Sequence, residues 1–250
     1  MPEAVSALLD FDGLGWLIAG VFLAGFVRGF SGFGTALVYL PIAGQFMPPV
    51  WTLITLVVMD VFGPLPNLPR AKADGRLADV GRMWLGTLVA LPFGLMVLYA
   101  VRPEVFRYLV SGIALVVPLL LAAGWRLRGQ ITALMQLGTG ALSGFLGGVA
   151  GLPGPPVILL HMASTEPTQV IRANIMMYLF AFDVTLLLLL GVQGQLEQTP
   201  ILLGLMLAVP NLLGNMAGAA AFRPDRQRLY RAVGYGITFV AALSGLPLWD

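Results

Sequence analysis

Two stretches decide the fold: Gly25–Pro41 (GFVRGFSGFGTALVYLP) and Gly140–Pro156 (GALSGFLGGVAGLPGPP) interrupt apolar sequence with glycine and proline in the same manner. Laid over each other at an offset of 115, they agree at six of 17 positions: Gly25/Gly140, Gly29/Gly144, Phe30/Phe145, Gly32/Gly147, Leu37/Leu152 and Pro41/Pro156. A helix broken inside lipid leaves backbone N–H and C=O groups unpaired. Such backbone is tolerated only where protein or a water-filled cavity covers it. Paired breaks in the two halves of a membrane protein point to the binding site of a carrier.

The rest of the composition agrees with a membrane setting. Of 250 residues, 58% are hydrophobic and only 10% charged, with a mean hydropathy of +0.88. A soluble domain of this size needs far more charge to cover its surface. The net charge of +2 comes from 13 Arg and one Lys set against 12 acids, mostly at loop positions, so it reports orientation in a membrane rather than nucleic-acid binding. The absence of Cys removes disulfides and thiolate chemistry. A single histidine, His161, builds no multi-histidine metal site. There is no phosphate-binding GxxxxGK[ST] loop, which argues against an ATP-driven pump. Nothing asks for a cofactor or a metal. The acidic start MPEAVSALLDFDG lacks the basic region of a cleaved signal peptide.

Turn and charge signals divide the chain into ten apolar candidates, at about 14–28, 31–46, 50–68, 81–100, 106–124, 131–147, 150–164, 170–192, 199–222 and 229–248. The segments 14–28, 31–46, 131–147 and 150–164 fall short of the roughly 20 residues that span a bilayer. They read as limbs of two re-entrant hairpins, with the other six long enough to cross. If each hairpin enters and leaves on one side, 11 basic residues are cytoplasmic (Arg70, Lys72, Arg76, Arg82, Arg126, Arg128, Arg172, Arg223, Arg226, Arg228 and Arg231) and two, Arg102 and Arg107, are external. If 14–46 and 131–164 each cross once, the count becomes six inside against seven outside. The positive-inside rule favours hairpins. Each half then holds five elements, so the expectation is an all-α polytopic protein of two inverted-topology repeats, 14–125 and 131–250, with an external N-terminus. The echo of Arg102-Pro103-Glu104 in Arg223-Pro224-Asp225 fits duplication and fits equally two similar helix starts. The polar stretch Arg70–Arg82 reads as a solvated loop.

The segments SGFGTALVYLP (from Ser31) and SGFLGGVAGLPGPPVIL (from Ser143) resemble the paired glycine-rich signatures of the TauE/SafE sulfite-exporter family. IRANIMMYLFAFD, Ile171–Asp183, resembles the segment that follows the second signature, so the likeness runs from about Gly25 to Asp183. Thr35-Ala36 stands where relatives carry further glycines. The resemblance implies secondary transport of small sulfur-containing anions, such as sulfite or organosulfonates, across a bacterial cytoplasmic (inner) membrane.

The residues themselves suggest how an anion is held. Gly32, Gly34, Gly147, Gly148, Gly151 and Gly154 lack a Cβ and allow close approach of backbone, while Gly25 and Gly140 fit small-xxx-small helix packing. Pro153, Pro155 and Pro156 prevent a regular helix at the second break. Half-helix N-termini beyond the breaks aim N–H groups and positive dipole ends at a negative ligand. The expected binding position is between the two hairpin tips, with the halves alternating access. Arg28, the one basic residue at a break, is an anion ligand, a structural ion pair or a snorkelling cation. Ser31 and Thr35 offer hydroxyls beside it, or bond back to their helix. Asp60 and Asp183, each about ten residues past a predicted helix start and so near mid-bilayer, read as a proton relay or as partners of Arg28. Arg172 and Asn174 open a candidate segment as an inner-vestibule attractor or as a positive-inside anchor.

Two alternatives stay open at this level. An anion channel of the same architecture differs from a carrier in lacking trans-stimulated exchange. A rhomboid-like protease would use Ser31 of Gly29-Phe30-Ser31-Gly32 with His161 as base, but Leu146 stands at the position of Ser31 in the second motif. The reading is of a non-enzyme whose partners are a small anion, the bilayer and protons, and it admits a homodimer.

Overall fold

Glycine and proline set where the apolar sequence breaks into helices. The computed structural model describes residues 11–31, 34–122, 131–162, 166–221 and 227–248. Within them lie eleven α-helices: α1 Leu14–Ser31, α2 Thr35–Ala43, α3 Pro49–Asp60, α4 Leu68–Asp74, α5 Leu77–Ala100, α6 Pro103–Ala122, α7 Ala133–Ala150, α8 Gly154–Met162, α9 Thr168–Val192, α10 Gln198–Ala221 and α11 Gln227–Gly245. One 3-10 turn, Leu65–Asn67, precedes α4, and no strand occurs among the described residues. Among the described residues, five helices are long and apolar enough to cross a membrane: Leu77–Ala100, Pro103–Leu120, Ala133–Ala150, Gln169–Val192 and Gln198–Ala221. The all-helical membrane architecture expected from the sequence is therefore present.

The hairpins take the same form twice. Each is an 18-residue helix (α1, α7), a three-residue break and a nine-residue helix (α2, α8). At 1.5 Å per residue the long limbs measure about 27 Å and the short ones about 13 Å. The expectation that all four limbs are too short to span therefore needs correction for α7, which is a spanning candidate by length and composition. The first hairpin closes antiparallel. A Cβ on Gly13 would meet the Phe46 ring, one on Gly20 the Ile42 side chain, and one on Gly34 would sit 3.4 Å from Val27. Residues 13 and 46 are thus neighbours, so this hairpin opens and closes at one end.

Three other expectations change. The predicted segment 50–68 is not one spanning helix, because α3 stops at Asp60 after 12 residues. Gly63-Pro64-Leu65-Pro66 follows; proline removes N–H donors and pushes its preceding residue out of the helical region. Asp60 is consequently a helix-end residue and not a mid-helix acid. The stretch 70–82 is not a plain solvated loop. It contains the end of α4, a turn at Gly75-Arg76 and the start of α5. Asn174 of α9 accepts the Arg76 backbone N–H at 2.7 Å, and Arg76 pairs with Glu166 at 2.6 Å. Arg107 is not an exposed loop charge. It is buried in α6, and its Nε donates to the Gly245 carbonyl at 3.1 Å, where the negative end of α11 favours a cation.

The chain packs as two compact units, Met1–Met59 with Arg102–Leu119 and Leu196–Asp250, and Asp60–Val101 with Leu120–Gln195. Each unit draws on both halves of the sequence and contains one hairpin. In the first, α1 lies against α10. A Cβ on Gly25 or Gly29 would strike the carbonyl of Asn211 or Asn215, and one on Gly214 or Gly218 the carbonyl of Phe22 or Phe26. In the second, α7 lies against α5, where Gly140 faces the Met83 carbonyl, Gly144 the Thr87 backbone and Gly86 the Leu137 carbonyl. Three of these pairings correspond at constant offsets, 115 on the hairpin helix and 128 on its partner: Gly25–Asn211 with Gly140–Met83, Gly29–Asn215 with Gly144–Thr87, and Gly214–Phe22 with Gly86–Leu137. Close backbone approach of this kind replaces the hydrophobic drive that lipid cannot supply.

Candidate functional site

At the first break, Gly34 precedes α2 with φ 109°, a left-handed conformation that side chains with a Cβ resist. It turns the chain sharply enough for α2 to start beside the end of α1. Arg28, half-buried in the last turn of α1, reaches across, and its Nη1 donates to Thr35 Oγ1 at 3.3 Å. Thr35 is the first residue of α2 and is buried. A guanidinium therefore stands over a helix start, where the first-turn N–H groups of Thr35, Ala36 and Leu37 have no intrahelical acceptor. Both features favour negative charge. The side chain of Ser31, and Gly32, lie outside the described residues.

The second break is built differently. Gly151 ends α7 with φ 67°, and the N–H groups of Gly151 and Leu152 fold back onto the carbonyls of Gly147 at 2.9 Å and Leu146 at 3.3 Å. Gly154 then opens α8, followed by Pro155 and Pro156, which have no N–H to offer. The buried Ser143 hydroxyl donates to the Pro153 carbonyl. Behind it, the buried Tyr178 hydroxyl faces Ser143 and lies 2.7 Å from Thr87 Oγ1, which in turn donates to the Gly140 carbonyl at 3.0 Å or the Met83 carbonyl at 3.2 Å.

The candidate glycines separate by what surrounds them. A Cβ on Gly147 would run into the Phe182 ring, and one on Gly148 would come within 2.7 Å of the Leu91 carbonyl and 2.9 Å of Gly94 Cα. Packing accounts for the absence of a side chain at both. Gly151 is accounted for by its positive φ. Among the described residues, a Cβ on Gly154 would meet the Ile158 and Leu179 side chains at 3.8 and 4.0 Å, ordinary contact distances, so no crowding accounts for the absence of a side chain there.

The remaining candidates are scattered. Asp183 lies half-buried near the middle of α9, and Asp60 at the end of α3. Arg172 is exposed near the start of α9. Asn174 is buried and its Oδ1 is engaged by the Arg76 N–H. His161 is buried with Nδ1 at 3.0 Å from the Val157 carbonyl. Sequence reading missed the Ser143–Tyr178–Thr87 chain. One signal was available: at the 115-residue offset, Arg28-Gly29-Phe30 lies over Ser143-Gly144-Phe145, so Ser143 holds the position of Arg28. Each of these side chains bridges its own break.

The family model described as sulfite exporter TauE/SafE matches residues 17–245, which includes both breaks and all five spanning candidates. No curated protein and no solved structure gives a significant match. That family consists of membrane transporters of anions rather than enzymes, which leaves the Ser31/His161 protease alternative without support. By a match over nearly its whole length, the chain belongs to the TauE/SafE sulfite exporter family.

Proposed function

We propose that this protein is a secondary transporter of a small sulfur-oxoanion or organosulfonate, working by alternating access. The observation that carries this is the Arg28 bridge to Thr35 across the first break. A sulfonate or sulfite has three oxygens arranged about one sulfur. A guanidinium and the N–H groups of a helix start offer donors of matching sign and spacing. At the second break, considered separately, Gly154 carries no side chain that would hold such a group off the α8 backbone. The candidate residues are Arg28, Thr35 and Gly34 at the first break and, taken by itself, the second break's Gly154 with Gly151 and Pro153. Ser31 and Gly32 belong to the same motif. Arg172 acts as a cytoplasmic attractor for the anion.

Two inverted halves, 14–125 and 131–250, supply the symmetry that alternating access uses. The equal hairpin lengths and the constant-offset pairings support that reading. Proton coupling falls to Asp183, because it sits within a long spanning helix and Asp60 does not. The arginine distribution supports an external N-terminus, and membership of the family supports the bacterial inner membrane.

The test is uptake into proteoliposomes of sulfite, thiosulfate, sulfoacetate, taurine and sulfate at two pH values, with counterflow measured for each. Saturable, trans-stimulated uptake of one sulfur anion, impaired in Arg28→Gln, is the expected result. Absence of uptake for the whole panel, or uptake without trans-stimulation, would refute the carrier reading.

A further inference from the structure

We propose that Ser143, Tyr178 and Thr87 are positioning residues that hold the Pro153 carbonyl, and with it the start of α8, in the arrangement that accepts the anion. This rests on the anion-transport reading. Pro153 is the last residue before α8, so its carbonyl is the main-chain acceptor nearest to anything bound at that helix start. A free carbonyl oxygen there repels an anion. That oxygen has two lone pairs: its α-helical donor is the N–H four positions on, Val157, and the donor that a 3-10 turn would add three positions on is missing, because Pro156 has no N–H. The Ser143 hydroxyl supplies that second donor. Ser143 in turn is backed by Tyr178 of α9 and, through it, by Thr87 of α5. All three side chains are fully buried.

Counting protons shows why the chain is stiff at its ends and adjustable at its centre. Ser143 and Thr87 each have one hydroxyl proton, and each spends it on a carbonyl that can only accept. Tyr178 then holds the one remaining proton for two neighbours. Its hydroxyl donates to Thr87 or to Ser143, and a small rotation exchanges the two. The break is thereby tied to α5 and α9 through contacts more than ninety residues apart in sequence at Thr87–Tyr178, where the separation is 91. Buried networks of this kind fix geometry when their members are satisfied.

The test uses the full-length protein in nanodiscs, with amide hydrogen exchange over 151–162 read alongside transport in proteoliposomes. The reporting amides include Gly151, Leu152, Gly154 and Val157, since Pro153, Pro155 and Pro156 have none. Without any anion, Ser143→Ala should accelerate exchange at these amides by about tenfold, and Ser143→Thr, which keeps the hydroxyl, should stay near wild type. Added sulfite, thiosulfate or sulfoacetate should slow exchange there in the wild type. Ser143→Ala should raise the half-saturating concentration about tenfold while maximal velocity stays within about twofold. Tyr178→Phe, which leaves both carbonyls their donors, should give a smaller shift in the same direction and serves if Ser143→Ala does not fold. Unchanged exchange in the variants, or protection by anion at the wild-type concentration, would overturn the positioning role alone. Protection by none of the anions in the wild type would instead overturn the transport reading, while the anion-free exchange would still decide whether the tether exists.

Discussion

A glycine-to-alanine series separates the glycines that pack helices from those that leave room for a ligand. At Gly148, the added Cβ would lie 2.7 Å from the Leu91 carbonyl and 2.9 Å from Gly94 Cα. Comfortable contact begins near 3.4–3.5 Å, so α5 and α7 must part by about 0.7 Å, which forfeits dispersion along the crossing. Overpacking of this kind costs about 1–3 kcal/mol. For a chain of this size that corresponds to a fall in Tm of roughly 2–12 °C. At Gly34 the new methyl group meets, among the described residues, Val27 at 3.4 Å, an ordinary contact. There the cost is the left-handed backbone, about 1–2 kcal/mol. At Gly154 neither term applies, because the neighbours stand at 3.8 and 4.0 Å and φ is not positive. Gly154→Ala should therefore match wild type in thermal unfolding of the detergent-purified protein. Its methyl group nonetheless stands at the start of α8, where the anion is proposed to approach the backbone, so the half-saturating anion concentration in proteoliposomes should rise severalfold. Gly148→Ala should unfold earliest. A Gly148→Ala protein as stable as wild type would refute the packing argument, and a Gly154→Ala protein with unaltered anion affinity would refute the assignment of that position to the ligand.

Arg28→Gln should raise the half-saturating anion concentration by about 10–150-fold, the worth of a charged hydrogen bond; Arg28→Lys should recover only part, because the fork that spans Thr35 and an anion is lost. Equal half-saturation in wild type and Arg28→Gln would remove the arginine from the site. Asp183→Asn should abolish the response of uptake to an imposed proton gradient, and Asp60→Asn should preserve it; gradient-driven uptake in Asp183→Asn would rule out its coupling role.

Both hairpins were readable because glycine and proline act through local backbone chemistry, which needs no knowledge of neighbours. Arg28 and Thr35 were readable for the same reason: seven residues apart, they lie on either side of one break. The end of α3 was hidden because Val61-Phe62 continues the apolar run past Asp60, although Gly63-Pro64-Leu65-Pro66 carried the stop signal. Arg107 follows a proline-led helix start and so looks like a boundary charge; its burial depends on Gly245, 138 residues away. Ser143, Thr87 and Tyr178 were illegible for a related reason. A hydroxyl in an apolar helix often bonds back to its own turn, as Thr185 does to the Ala181 carbonyl, and only the packing of α5, α7 and α9 distinguishes these three from that ordinary case.

The two breaks are unequal in donors, and this has a consequence for how the second one is held. α2 opens with Thr35, Ala36 and Leu37, which all carry an N–H, whereas α8 opens with Gly154, Pro155, Pro156 and Val157, of which two do not. The first break is thus suited to grip an anion through several donors, whereas the second offers fewer and is held by side chains of its own unit. Beside the α-helical donor Val157, the Pro153 carbonyl has a second lone pair that the missing N–H of Pro156 leaves to the Ser143 hydroxyl. Restoring that N–H should make Ser143 less critical. Pro156→Ala introduces a donor three residues beyond Pro153, the spacing of a first-turn 3-10 bond. In a double-mutant cycle, Ser143→Ala should therefore cost about tenfold in anion affinity in the wild-type background and clearly less in the Pro156→Ala background, because one buried acceptor is being served by either of two donors. Residues that share no partner give additive effects, so strict additivity here would show that Ser143 does not act through the Pro153 carbonyl.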